Sequence, residues 1–292
     1  MAQIIDGKLI SAQIKEEIKE KTKKLVVEKG IQPGLALLLV GENPAAKSYV
    51  ASKEKACAEL GFKSIVIRLS EDTDEKTVLN YVEQWNNDSS IHGILVQLPL
   101  PKHIDEAKVI NSISPLKDVD GFHPESFGRL VIGLPGFVPC TPAGIIELMK
   151  RYNIQTKGKH VVVVGRSNIV GKPIANLLYQ KKPNANAIVT ICHTAAPDIR
   201  YYTKQADILI TAIGVPKFIK SDDVKDGVVI IDVGINRVVD KSKEKGYLIV
   251  GDVDFDSVME KASAITPVPG GVGLMTVAML MSNTYKSASG EI

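Results

Sequence analysis

Residues 159–178 read KHVVVVGRSNIVGKPIANLL, and this stretch decides the fold. Val161–Val164 form a short run that is apolar on both faces, as in a strand buried inside a parallel sheet. A glycine turn follows at Gly165, and Pro173 suits a first helical turn, where its missing N–H would have had no partner. Strand, glycine turn and helix are the layout of a dinucleotide site, with a pyrophosphate on the N–H groups at the helix start. The fingerprint is imperfect. Gly165 matches its first glycine, Ser167 replaces the second, and Gly171 comes one residue late for the third. An ordinary tight strand-to-helix turn is the competing reading of this stretch alone.

The next strand bears on the choice of nucleotide. A site for NAD usually places Asp or Glu ~20 residues further on, accepting from the ribose 2′-hydroxyl. Here that strand ends TICHTAAPD, with Cys192, His193 and Thr194 where the acid should be, and Arg166 directly follows the first glycine. A cation and hydroxyl donors in place of a carboxylate suit a 2′-phosphate, which favours NADP; a solvated Arg166 is the plain alternative. ADILITAIG and VVIIDVGIN are two more apolar strands ending in glycine turns. Ligands of open α/β sheets lie at the carboxyl ends of strands, so Gly214, Gly234 and Ile235 are placed to line a cofactor. Strands are expected at His160–Val164, Ala187–Ile191, Asp207–Thr211 and Val228–Asp232, with a short one near Ala264–Thr266.

The preceding half also alternates short apolar runs with helical patterns, so the chain reads as α/β with two domains. A helix is expected after Ser11, with Ile14, Ile18 and Leu25 on one face, and strands at Leu35–Val40, Ser64–Leu69 and Gly93–Leu98. Val78, Val82 and Trp85 mark a further helix, and another spans Asp105–Ile113. The stretch from Pro115 to Pro142 is rich in proline and glycine; it reads as a loop-rich connection holding the domain boundary. The division expected is 1–139 and 140–269, with a terminal segment, 270–292, joining the first domain. Its helix, Thr276–Lys286, follows the glycine-rich run PVPGGVG.

Composition excludes several classes. The chain has 292 residues, is 45% hydrophobic and 24% charged, and carries a formal net charge of +3. No basic block stands out and only 5% of residues are aromatic, which argues against a nucleic-acid partner. No apolar run approaches the ~20 residues of a membrane span, and MAQIIDGKLISAQIKEEI lacks a signal-peptide core. Cys57, Cys140 and Cys192 are far apart, as suits reduced cytosolic thiols. The five histidines include no HExxH and no close pair, so no protein-held metal is expected.

The first half carries polar residues that packing does not explain. In YVASKEKACAEL, Tyr49, Lys53, Cys57 and Leu60 share one helix face, so a lysine sits on an apolar seam. Lysine is almost never fully buried without a partner. Taken alone, Lys53 reads most simply as a surface lysine whose stem lies along the helix. Gln97 interrupts the apolar strand of GILVQLPLP and is an amide able to hold a lysine or a ligand. KDVDGF supplies Asp118 and Asp120, and Asp120 before Gly121 also fits a plain turn former.

Together YVASKEKAC, GILVQLPLP, KDVDGFHP, GRSNIVGKP, DVGIN and TPVPGGVG resemble the signature stretches of the bifunctional methylenetetrahydrofolate dehydrogenase/methenyltetrahydrofolate cyclohydrolases, in family order. The resemblance implies two α/β domains with a cleft between them, the second a Rossmann-like NADP-binding domain. It implies oxidation of 5,10-methylenetetrahydrofolate with NADP+ and hydrolysis of the methenyl product to 10-formyltetrahydrofolate, a step that serves purine biosynthesis. By similarity Lys53 is the central catalytic residue, Tyr49 shapes the folate site, Gln97 bonds Lys53, and Asp120 binds the pterin. Val96, Leu98, Pro269, Gly270 and Gly271 are implied to line the folate pocket. Thr141, Gly165, Arg166, Ser167, Ile169, Val170, His193, Thr194, Gly214, Ile235 and Thr276 are implied to meet the cofactor. A cytoplasmic homodimer is likewise implied. Leu274 stands where the family usually has proline, which is expected to free that loop and place a bulky group near the folate pocket. The rival readings are a relative that prefers NAD or lacks the hydrolysis, and a nucleotide-binding regulator that has lost catalysis.

Overall fold

The computed structural model describes residues 2–243 and 246–292. In chain order, β1 (Gln3–Ile4) and α1 (Gly7–Lys29) precede β2 (Gly34–Val40), α2 (Pro44–Leu60), β3 (Lys63–Leu69), α3 (Glu75–Asn87), β4 (Gly93–Val96), α4 (Glu106–Ser112) and α5 (Pro124–Ile132). There follow α6 (Cys140–Arg151), β5 (His160–Val164), α7 (Gly171–Leu178), β6 (Ile188–Cys192), α8 (Arg200–Thr203), β7 (Ile208–Thr211), β8 (Val228–Asp232), β9 (Asn236–Val239), β10 (Tyr247–Val250), α9 (Phe255–Val258), β11 (Ala262–Ile265) and α10 (Val272–Ser289). The chain forms two compact units: Ala12–Cys140 with Val277–Ile292, and the residues up to Ser11 with Thr141–Thr276. Among the described residues no helix is long and apolar enough to cross a membrane.

In the unit of Ala12–Cys140, three parallel strands lie in the order β3-β2-β4. All seven residues of β2, GLALLLV, are buried, as a central strand covered on both faces requires. Each fully buried leucine there contributes roughly 1.5–3 kcal/mol of apolar transfer. Val78, Val82 and Trp85 of α3 pack into the core on one side of this sheet. The α3 C-terminus is closed by Lys117, whose ammonium donates to the carbonyls of Trp85, Asn86 and Asp88 at 2.8, 2.9 and 2.8 Å.

In the other unit, six parallel strands run in the order β1-β11-β8-β7-β5-β6. The chain passes from β5 to β6 on one side, then crosses to β7 on the other, so a topological switch point lies beside β5. β9 and β10 form a separate antiparallel pair.

Several elements differ from expectation, each for a local reason. α1 begins at Gly7, ahead of Ser11, because the Asp6 carboxylate accepts from Leu9 N–H at 2.9 Å and caps it. β4 ends at Val96 and excludes Gln97 and Leu98; Pro99 has no N–H with which to extend the ladder. The proline-rich connection contains α5, which starts on Pro124 and ends on Gly133 in the left-handed region, φ 76°. α10 begins at Val272, so the glycine run itself opens the helix. β1 and the β9–β10 pair lie in stretches where no element was expected.

Candidate functional site

α2 is set by Asn43, whose carboxamide accepts from Ala45 and Ala46 N–H at 2.9 and 3.2 Å, with Pro44 at the first position. Its buried seam is Ala46, Val50, Lys53, Cys57 and Leu60. Lys53 is therefore inside, at 7% exposure. Tyr49 is not: it is 43% exposed, because the 3.6-residue period puts Val50 on the seam and Tyr49 at its edge. That corrects the shared face expected for Tyr49.

The Lys53 ammonium donates to Gln97 Oε1 at 2.9 Å. Gln97 is held in turn, its N–H donating to the Leu38 carbonyl and its side-chain amide to the Leu98 carbonyl, each at 2.8 Å. Burial pushes the Lys53 pKa down, opposed by the negative charge of Asp120. Burial conversely raises Asp120, and the Lys53 charge pulls it back. Val96 is buried at the end of β4, and Leu98 packs against the same core.

The two aspartates of KDVDGF divide their roles. Asp118 is buried and accepts from Phe122 N–H, His123 N–H and Ser126 Oγ at 3.1, 2.9 and 2.7 Å, which fixes the entry to α5. Burial lifts its pKa to about 6. Asp120 is left as the carboxylate near Lys53. Gly121 turns the chain at φ 75°, where an added Cβ would lie 2.6 Å from Pro139 N.

Cys140 and Asn283 belong to this site and escaped the sequence reading. Cys140 is buried with its thiol 3.4 Å from the Val119 carbonyl, and burial together with Asp120 pushes its pKa well up. Asn283 donates to the carbonyls of Val119 and Val138 at 2.9 and 3.1 Å, tying α10 beside Asp120. The one signal for Asn283 was an amide amid the apolar residues of the last helix.

The nucleotide candidates lie in the other unit. Gly165 ends β5 at φ 134°, and a Cβ there would sit 2.4 Å from the Ala212 carbonyl oxygen. Gly171 opens α7 so closely that a Cβ would lie 2.3 Å from the Gly165 carbonyl oxygen. These are the close approaches that a dinucleotide turn needs, so the residues fit that group although the motif is irregular. Ser167 Oγ accepts from Val170 and Gly171 N–H at 3.1 and 3.4 Å. Arg166, Ser167 and Ile169 are exposed, whereas Val170 turns inward. His193 and Thr194 follow β6, Gly214 follows β7 and Ile235 follows β8, so all share the carboxyl edge of one sheet.

Thr141 and Thr276 join through their hydroxyls at 2.9 Å. Gly270 and Gly271 pack under the start of α1: Lys8 N–H donates to the Gly270 carbonyl at 3.0 Å, and a Cβ on Gly7 would lie 2.1 Å from the Gly271 carbonyl oxygen. Pro269 is exposed beside them. Leu274 lies inside α10, not in a freed loop, and its side chain is 44% exposed. Asp232 and Asp252, both buried, were not singled out in the sequence; each stands at the end of an apolar run. Among the described residues no group of three His, Cys, Asp or Glu side chains gathers to hold a metal ion.

Residues 5–120 match the tetrahydrofolate dehydrogenase/cyclohydrolase catalytic domain, and residues 139–292 match the NAD(P)-binding domain of the same family. The bifunctional protein FolD of Chlorobium chlorochromatii is 57% identical, over 97% of each chain. The crystal structure of the bifunctional FolD dehydrogenase/cyclohydrolase of Campylobacter jejuni is 50% identical, covers 100% of both chains and superposes with a TM-score of 0.94. That of the Trypanosoma brucei enzyme, complexed with NADP and an inhibitor, is 38% identical, covers 99% of this chain and 98% of that one, and has a TM-score of 0.94. With one domain model matched on the Lys53 side, the other on the β5–α7 side, and such relatives along the whole length, the chain belongs to the tetrahydrofolate dehydrogenase/cyclohydrolase family.

Proposed function

We infer that the protein oxidises 5,10-methylenetetrahydrofolate with NADP+ and hydrolyses the resulting methenyl cation to 10-formyltetrahydrofolate. The observation that carries this is the buried Lys53 amine on the Gln97 carboxamide, with Asp120 nearby. When bound, the nicotinamide supplies a hydride acceptor. The carbon that gives up the hydride lies between two nitrogens, so the cation is delocalised and the protein's work is alignment.

Hydrolysis asks more of the side chains. A water oxygen bonds to the methenyl carbon and loses one proton; the bond from that carbon to one ring nitrogen then breaks, that nitrogen gains a proton, and the oxygen gives up its second proton to solvent as the formyl C=O forms. Lys53 is assigned both transfers, taking the first proton as a neutral amine and returning one as an ammonium. Its low pKa, caused by burial, makes the neutral form accessible, and a cationic substrate beside it favours that form further. Gln97 orients the amine without stabilising the ammonium as a carboxylate would. Asp120 is assigned to the pterin N–H groups and Tyr49 to the ring face, with Val96 and Leu98 lining the pocket.

The nucleotide is assigned to Gly165, Arg166, Ser167 and their neighbours on the same edge. Arg166 follows β5, and His193 and Thr194 follow the neighbouring β6 with no acid at that strand end, which supports NADP over NAD. A homodimer in the cytoplasm that feeds 10-formyl groups to purine biosynthesis completes the reading; free, buried Cys57, Cys140 and Cys192 suit a reducing compartment. Purified protein with 5,10-methylenetetrahydrofolate and NADP+ tests the core of it. Methenyl absorbance should appear and 10-formyl product accumulate; no turnover with either NADP+ or NAD+ would reject it.

A further inference from the structure

Two buried carboxylates lie beneath the turns at the carboxyl edge of the six-stranded sheet. Asp232 ends β8 at 3% exposure, and Asp252 follows β10 at 0%. Asp232 accepts from Thr211 Oγ1, Gly234 N–H and Asp252 N–H through Oδ1 at 3.1, 2.9 and 3.0 Å, and from Val253 N–H through Oδ2 at 2.9 Å. It thereby seats Asp252.

Asp252 reaches outward to two turns at once. Its Oδ2 accepts from Ile213 N–H at 2.8 Å and Gly214 N–H at 3.1 Å, in the turn after β7. Its Oδ1 accepts from Asn236 Nδ2 at 2.9 Å, where β9 begins. Gly234 comes so close that a Cβ there would lie 2.3 Å from Oδ1. One side chain therefore fixes Gly214 and the Gly234–Asn236 segment relative to each other, and Ile235 lies within that segment.

We propose that Asp252 is a positioning residue for the nicotinamide cofactor, acting through the Gly214 and Ile235 turns. The proposal rests on the dinucleotide reading given above. Its chemistry is specific to a carboxylate, which offers an acceptor on both oxygens. An amide at this place keeps a single, uncharged acceptor for Ile213 and Gly214, and its NH2 group can bond Asn236 only if that carboxamide turns over, so the charge on the β7 turn is lost.

The test follows from that polarity. Asp252→Asn should raise KM for NADP+ and NAD+ alike by ~10-fold, the scale of a lost hydrogen bond to a charged group. The hydrolysis, which uses no nucleotide and is assayed without one, should not follow that loss. Asp252→Ala, which removes both acceptors, should raise both KM values further than Asp252→Asn does. If Asp252→Asn does not fold, Asn236→Ala removes the β9 partner alone and should raise both KM values by ~3-fold. Failure of the unsubstituted protein to bind either nucleotide would overturn the dinucleotide reading itself. Binding in the unsubstituted protein, with unchanged KM in the variants, would overturn the role of Asp252. A parallel fall of both activities with a lowered melting temperature would also overturn it, leaving Asp252 a folding residue.

Discussion

Lys53 and Gln97, 44 positions apart in the chain, are joined by a 2.9 Å hydrogen bond from an ammonium to a neutral carboxamide. The helix seam buries the amine, and the residue just past the end of β4 supplies the acceptor. A neutral partner satisfies the donor without cancelling the effect of burial on its pKa.

Gln97→Glu tests that choice of partner. A carboxylate at hydrogen-bond distance favours the charged amine, so the Lys53 pKa should rise. The limb of hydrolysis that increases with pH should move to higher pH, and the rate at pH 7 should fall by ~10-fold or more. The sign for stability is fixed too. Because the native pKa lies below the ordinary 10.5, the buried ammonium opposes folding at low pH, and that cost is relieved as pH rises through the lowered value. In Gln97→Glu this pH-dependent gain should shrink. A pH–rate profile and denaturation at several pH values read both effects.

Asp118→Ala should destabilise the unit of Ala12–Cys140. Three donors, on Phe122, His123 and Ser126, would lose a buried acceptor. The expected loss is ~2–4 kcal/mol in chemical denaturation. Folate affinity should fall as well, since Asp118 shapes the turn that carries Asp120.

Arg166→Ala should weaken NADP+ more than NAD+. The guanidinium is assigned to the 2′-phosphate, which NAD+ lacks, and a charge-assisted bond of this kind is worth ~1.5–3 kcal/mol. Titrations with the two nucleotides should separate by ~10-fold or more. Equal losses would remove the phosphate assignment.

Gly171→Ala should damage nucleotide binding through packing alone. Its Cβ would be 2.3 Å from a backbone oxygen of Gly165, which cannot swing away as a side chain would. Overpacking of this kind costs ~1–3 kcal/mol, and the turn that approaches the pyrophosphate would widen. Thermal denaturation and KM for NADP+ measure the two effects.

The parts of the fold set by local pattern were legible in the sequence. The all-valine run gave β5, and VVIID gave β8, with the bounds the structure shows. Lys53 stood out as a lysine on an apolar seam, and Gln97 as an amide in an apolar strand. What stayed hidden depends on contacts distant in sequence. α5 lies among prolines and glycines that read as a loop, yet those residues are its start and stop, and Asp118 anchors it. β1 is two residues long and exists because β11, at the far end of the chain, pairs with it. Tyr49 was placed one helical position too far inside, a spacing that Val50 satisfies better. Cys140, Asn283 and Asp252 carry no motif of their own; their partners are assembled only in three dimensions.

The central claim is that the buried amine of Lys53 moves the protons of the hydrolysis. The most direct measurement is single-turnover hydrolysis of the methenyl substrate by Lys53→Met, whose unbranched side chain fills the same space. The rate above the uncatalysed background should fall by ~10²–10⁴-fold, and the rising pH limb should disappear, while NADP+ binding is retained. Hydrolysis by this variant at the unsubstituted rate, with the same pH profile, would contradict the account.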